Sequence, residues 1–178
     1  QAALDAALMT GLPRSVTAAT GIDALTHAVE AFIGRWATPQ TDGLALAAVG
    51  LIFANLRTVC TEGGNLVARE NMSLASTWAG MAFTRANVGY VHAIAHQLGG
   101  KYHTPHGLAN ALMLPHVLRF SAPEVHDRLA LLARRAGLGA EGDDDETLSA
   151  AFIDGVEALC RDIGLPTTMD ALQDDDIP

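Results

Sequence analysis

Apolar residues recur at helical spacing through most of the chain, and the breaks between them carry helix-ending chemistry. Pro13 precedes a pattern through Val16, Leu25, Ala28, Val29 and Phe32 to Gly34, with Gly21 standing where it can bend or divide the helix. Thr38-Pro39 reads as an N-cap followed by Pro at the first helical position, opening a helix to about Thr58. After Gly63-Gly64 a third helix, about Leu66 to Arg85, carries Leu74, Trp78, Met81 and Ala82 on one side. A fourth runs from about Val88 to Gly99-Gly100. Thr104-Pro105 repeats the cap-then-Pro pattern and places His106 in the first turn of a helix that Pro115 is expected to kink or split.

Ser121-Ala-Pro-Glu124 has the capping-box form and predicts a new amphipathic helix through Val125, Leu129 and Leu132 to Gly137. A loop over Gly137 to Gly142 and a last helix, about Glu146 to Ile163 and closed by Gly164 and Pro166, complete the pattern. No internal repeat, low-complexity tract or sustained strand-type alternation is present. The prediction is an all-α, bundle-like domain.

Composition sharpens this picture. The 178 residues suffice for one domain with a substantial core, and 49% of them are hydrophobic but only 5% aromatic, the excess being Ala and Leu, which favour helix over strand. A formal charge of −9 argues against nucleic acid and anionic membrane as partners. Two acidic runs, Asp143 to Glu146 and Asp174 to Asp176, lack the spaced carboxylates and central Gly of a calcium loop and read as solvated loops or helix starts. Cys60 and Cys160 form no CxxC pattern, which is compatible with a reducing cytoplasm. The longest apolar stretch, Leu44 to Leu56, is shorter than a bilayer span. A chain that opens with Gln1 and shows no secretory pattern is expected to be a fragment whose targeting signal, if any, lies elsewhere.

Candidate chemistry lies in three motifs. Asp23-Ala-Leu-Thr-His27 and His92-Ala-Ile-Ala-His96 each place two polar side chains four apart, on one helix face, and Thr104-Pro-His-Gly107 follows shortly after. Four of the seven histidines fall in these motifs. A lone Asp/His pair at this spacing is more often a surface hydrogen bond than a ligand pair. The apolar neighbours Val91, Ala93, Ile94, Ala95 and Leu98, however, imply that the second pair is buried and needs partners. One carboxylate with several imidazoles suits Zn²⁺ or Fe²⁺ better than Ca²⁺ or Mg²⁺. Spacing alone leaves open whether His92, His96 or both would ligate.

With these motifs placed, the chain resembles the C-terminal helical domain, dehydroquinate synthase-like in fold, of the iron-containing (group III) alcohol dehydrogenases. The resemblance is carried by Thr17-Ala-Ala-Thr-Gly-Ile-Asp-Ala-Leu-Thr-His-Ala-Val-Glu30, Gly80-Met-Ala-Phe83, Gly89-Tyr-Val-His-Ala-Ile-Ala-His-Gln-Leu-Gly-Gly100 and Thr104-Pro-His-Gly-Leu-Ala-Asn-Ala111. It implies that Asp23, His27, His92 and His106 ligate Fe²⁺ or Zn²⁺. It further implies that His96 lies near the nicotinamide and assists proton transfer, that Phe83 lies near the nicotinamide and substrate pocket, and that Thr104 and Pro105 only position His106. The implied activity is hydride transfer between a small alcohol or aldehyde and NAD or NADP; which of the two cofactors, and whether the protein forms a homo-oligomer, the resemblance leaves open. No GxGxxG or comparable phosphate loop occurs, and the chain stops at Ile177-Pro178 where that family usually continues. Residues 1–178 are therefore expected to be most of the catalytic half of an enzyme, without its N-terminal dinucleotide-binding domain and last helices.

Two other readings compete. His126-Asp127 is an adjacent pair of the kind used by helical His-Asp metal-dependent phosphohydrolases, although an Asp in an early helical turn also simply complements the helix dipole. A non-enzymatic helical interaction module would use its histidines for core hydrogen bonds, the role expected of His103 and His116.

Overall fold

The computed structural model describes residues 3–169, so the second acidic run, Asp174 to Asp176, and the terminal Ile177-Pro178 lie outside the described residues. A 3-10 turn, Ala6–Met9, precedes six helices: α1 (Arg14–Ile33), α2 (Pro39–Thr61), α3 (Leu66–Ala86), α4 (Tyr90–Tyr102), α5 (His106–Ala136) and α6 (Asp145–Ile163). No strand occurs among the described residues, in agreement with the all-α expectation.

Helix α1 is the hub. It packs against α2, α3 and α5, while α5 also carries α4 on one side and α6 on the other. Ile22, Leu25, Val29 and Phe32 of α1 are fully buried with Ile52 and Leu56 of α2, Leu114 and Leu118 of α5 and Phe152 of α6. Gly21 does not divide α1: a Cβ there would collide with the Leu56 side chain, so its missing side chain lets α1 and α2 approach closely. The last carbonyls of α1 find a partner in Arg128, which donates to Phe32 O, pairs with both carboxylate oxygens of Asp42 at 2.6 and 2.9 Å, and lies over the Phe32 ring.

Other boundaries differ from the sequence expectation for local reasons. Thr38 does cap α2, exchanging hydrogen bonds with Thr41 in a capping box. Helix α2 is 23 residues long and contains an 18-residue window of mean hydropathy 1.7, which is long and apolar enough to cross a membrane by length and composition, but Ala45, Ala48, Val49, Ile52 and Leu56 pack into the core. Gly99-Gly100 do not end α4, which continues to Tyr102; His103 closes it in the left-handed conformation, φ 56°. Thr104 makes no capping bond, Pro105 is the N-cap, and His106 is the first residue of α5. A break follows the Ser121 to Glu124 segment, as its capping form predicts, but it falls at Val125 (φ −140°, ψ 26°), so α5 passes through Pro115 and Pro123 and consists of two helical segments joined at a kink. Val117, Leu118 and Ala122 before the kink and Leu129 and Leu132 after it are all buried.

Candidate metal centre

The site forms where one face of α1 meets the first turns of α4 and α5. Asp23, His27 and Glu30 stand at i, i+4 and i+7 on α1, so their side chains leave the helix on one side. His92 enters from the first turn of α4 and is 2% exposed. His106 and Asn110, four apart at the start of α5, come from the third direction. A Cβ at Gly107 would collide with the backbone of Ala19, and the glycine there is what lets α5 begin directly against α1, with His106 beside Asp23.

One ligand-type atom from each of Asp23, His27 and His92 lies within 4.8 Å of the others. His27 Nδ1 is 3.8 Å from Asp23 Oδ2, and His92 Nε2 and His106 Nε2 are 3.6 and 3.3 Å from Asp23 Oδ1. The ring of His27 stacks on Phe83 of α3 at 4.2 Å between centroids and lies 4.3 Å from that of His92. His96 is solvent-exposed one turn along α4, its ring 6.1 Å from His92 and stacked on His106 at 5.3 Å. The structure therefore brings Asp23, His27, His92 and His106 to one corner, with Phe83 behind His27 and His96 at the rim.

Asn110 occupies the centre of this arrangement. Its side-chain nitrogen donates to Asp23 Oδ1 at 2.6 Å and lies 3.2 Å from both His92 Nε2 and His106 Nε2, while its Oδ1 is buried without a hydrogen-bond partner. Asp23 Oδ1 and two imidazole Nε2 atoms thus gather on one amide NH₂ group, whose two hydrogens cannot serve all three, and a cation would play the same electrostatic part. Charge regulation agrees. Burial raises the Asp23 carboxyl, but its hydrogen bonds to His92 and Asn110 and the nearby His27 and His106 outweigh it and hold the group below its usual range. Burial lowers His27, with Asp23 only partly compensating. Burial would also lower His92, yet Asp23 and Glu30 on either side push it up to about 9, so without another cation the ring takes a proton. A divalent ion competes for the same lone pair, and its binding releases that proton. A carboxylate, three imidazoles and this demand for positive charge fit Fe²⁺ or Zn²⁺.

The remaining candidates stay apart. Thr104 Oγ1 donates to Met169 Sδ, consistent with a packing role. His126 and Asp127 sit in the second half of α5, about 30 Å along the helix from His106, and His126 Nδ1 is buried with no partner. Sequence reasoning missed Glu30 and Asn110. Glu30 carried a signal, a single carboxylate in the apolar run Ala28 to Phe32 at i+7 from Asp23, and Asn110 repeated the four-residue spacing from His106.

Comparison with known proteins accords with this geometry. The chain is 50% identical over 162 residues to the 1,3-propanediol dehydrogenase of Citrobacter freundii, a match covering 91% of this chain and 42% of that protein. Among solved structures, an alcohol dehydrogenase from Oenococcus oeni superposes with a TM-score of 0.92 at 39% identity, covering 95% of this chain and 45% of that one. A sulfoacetaldehyde reductase from Bifidobacterium kashiwanohense, in complex with NAD⁺, superposes with a TM-score of 0.86 at 31% identity, covering 97% of this chain and 44% of that one. The chain spans less than half the length of these relatives. The model described as "Fe-containing alcohol dehydrogenase family, C-terminal" matches residues 17–177, and the chain belongs to that family.

Proposed function

We propose that this chain is the metal-holding catalytic part of an NAD(P)-dependent alcohol dehydrogenase acting on a small alcohol or aldehyde. The observation that carries the reading is the convergence of Asp23, His27, His92 and His106 from three helices around the Asn110 amide. In this reading those four residues hold Fe²⁺ or Zn²⁺; between these ions the donor set does not choose, because Zn²⁺ outcompetes Fe²⁺ for nitrogen and oxygen ligands in general. A bound divalent ion supplies Lewis-acid polarisation of the substrate oxygen, and the nicotinamide supplies or accepts the hydride.

The chain's own side chains do the rest. Asp23 sets the charge of the centre, and the Phe83 ring, stacked on His27, holds that imidazole in place while offering an apolar wall to nicotinamide and substrate. His96, at the exposed rim against His106, exchanges the alcohol proton with solvent. In this reading the pyrophosphate of the dinucleotide is held by a part of the enzyme outside these 178 residues, which contain no Gly-rich phosphate loop; use of a nicotinamide cofactor accords with the NAD⁺ complex of the similar sulfoacetaldehyde reductase.

Metal content of purified protein by plasma mass spectrometry, together with calorimetric titration of this chain with NADH and NADPH, tests the reading. About one Fe or Zn per chain and weak or no dinucleotide binding are expected. Absence of metal after reconstitution, or tight dinucleotide binding to this chain alone, would remove its basis.

A further inference from the structure

Glu30 is a carboxylate 4% exposed among apolar neighbours on α1, Val29, Ala31 and Phe32, and it pairs with His92. Its two oxygens have separate tasks. Oε1 accepts the backbone N–H of Val91 at 2.7 Å, and Oε2 lies 2.6 Å from His92 Nδ1. Helix α4 has no cap of its own, because its N-cap is Gly89 and no side chain there bonds the first turn. Glu30 therefore caps α4 from another helix, and places its negative charge where the free N–H groups and dipole of α4 favour it. The backbone is shaped to allow this: a Cβ at position 89 would stand 2.9 Å from Glu30 Oε1, closer than real side chains approach.

We infer that Glu30 is a positioning residue for the metal centre, fixing both the tautomer and the ring orientation of His92 from behind. A carboxylate oxygen accepts, so the Nδ1 hydrogen of His92 faces Glu30, and Nε2, which faces Asp23, His106 and Asn110, is the nitrogen whose lone pair an ion takes when it displaces the proton there. The same carboxylate anchors the peptide that bears His92, so ring and backbone are set by one group. A carboxylate on the far nitrogen also makes the imidazole a better electron donor to a cation. This inference rests on the proposed metal site and adds a residue to it that touches neither substrate nor ion.

Glu30→Gln is the decisive variant. The glutamine has nearly the same size but a single acceptor oxygen for two donors, and its NH₂ against Nδ1 would move the imidazole hydrogen to Nε2, the atom needed for the ion. In the full-length protein, metal-free and then titrated with Co²⁺ and Zn²⁺ against a competing chelator, Glu30→Gln should weaken binding by about 10–100-fold and shift the visible absorption of the Co²⁺ form, with helical circular dichroism retained. Gly89→Ala, which crowds Oε1 without touching a ligand, should do the same to a smaller degree and serves if the glutamine variant does not fold. Wild-type affinity and an unchanged Co²⁺ spectrum in both variants, even with a lowered melting temperature, would show Glu30 to be a helix cap only and overturn the inference. Failure of the wild-type protein to bind either ion would overturn the metal site itself, and this inference with it.

Discussion

The two ends of α5 solve opposite problems. Its last turns lie on α6 with Leu129, Ala130, Leu132 and Ala133 fully buried against a helix that offers Leu148, Phe152, Val156 and Leu159, and the surroundings are apolar apart from single buried atoms such as Ser149 Oγ and His126 Nδ1. Its first turns lie on α1 and α4 and enclose Asn110, His92 and Glu30, with Asp23, His27 and His106 half-open beside them. The first region is held by area removed from water, about 25 cal/mol per Å² of apolar surface, and tolerates conservative change. The second gains little from burial, since each enclosed polar group must recover the hydration it lost through a fixed partner. Precision at the polar end thus depends on rigidity supplied from the apolar end, and the two should respond to mutation in different observables.

The largest expected effect is at His92. His92→Ala removes a buried imidazole from the centre and should abolish metal retention, whereas His96→Ala should leave metal content nearly intact and slow turnover of the full-length enzyme by about 10²–10⁴-fold. Metal stoichiometry and steady-state kinetics on the two variants separate the roles, and equal metal loss from both would make His96 a ligand. At the other end, Phe152→Ala empties a site that is 0% exposed and lies 5.8 Å from the Phe53 ring. It should cost about 3–5 kcal/mol in denaturant unfolding while the folded fraction binds metal as before. A Phe152→Ala protein that folds well but loses its metal would show that the two regions are coupled more tightly than this contrast allows.

A third test uses protons. His92 is pushed up from 6.5 to about 9 in the folded, metal-free chain, so between those values the folded state binds more protons than the unfolded one. The His92 contribution to the stability of the metal-free protein should be fully present below about pH 6.5 and be lost as pH rises toward 9, and Zn²⁺ should reduce that dependence by displacing the proton. A flat profile, or one rising with pH over this range, would contradict the charge reading of the centre. The smallest effect lies outside both regions: Thr38→Ala removes the capping bond to Thr41 and should cost about 1 kcal/mol, with no change in metal affinity.

How far these regions could be read in advance follows the same division. Every helix was legible, because the apolar period and the caps at Thr38 and Gly164 are local signals. Boundaries failed where tertiary packing overrode a local rule, as at Gly21 under Leu56 and at Gly99-Gly100 inside α4, whereas the break signalled by Ser121 to Glu124 is present a little later, at the Val125 kink. Asp23, His27 and His92 stood out in spaced polar pairs and His106 in the Thr104 to Gly107 motif, and the resemblance to the family singled out these four as a set. Glu30 and Asn110 were not, since a carboxylate or an amide inside an apolar run reveals its purpose only when the partner helix is in place.

The contacts that close the polar corner also say something about when it can exist. Asn110 meets Asp23 across 87 residues of chain and His92 meets Glu30 across 62, so no hairpin of neighbouring helices contains the site. Loop closure over such distances comes late, after local helices and their nearest pairings have formed. Cation affinity should therefore emerge last during refolding, which makes metal capture a stopwatch for completion of the tertiary structure and not for the appearance of its helices.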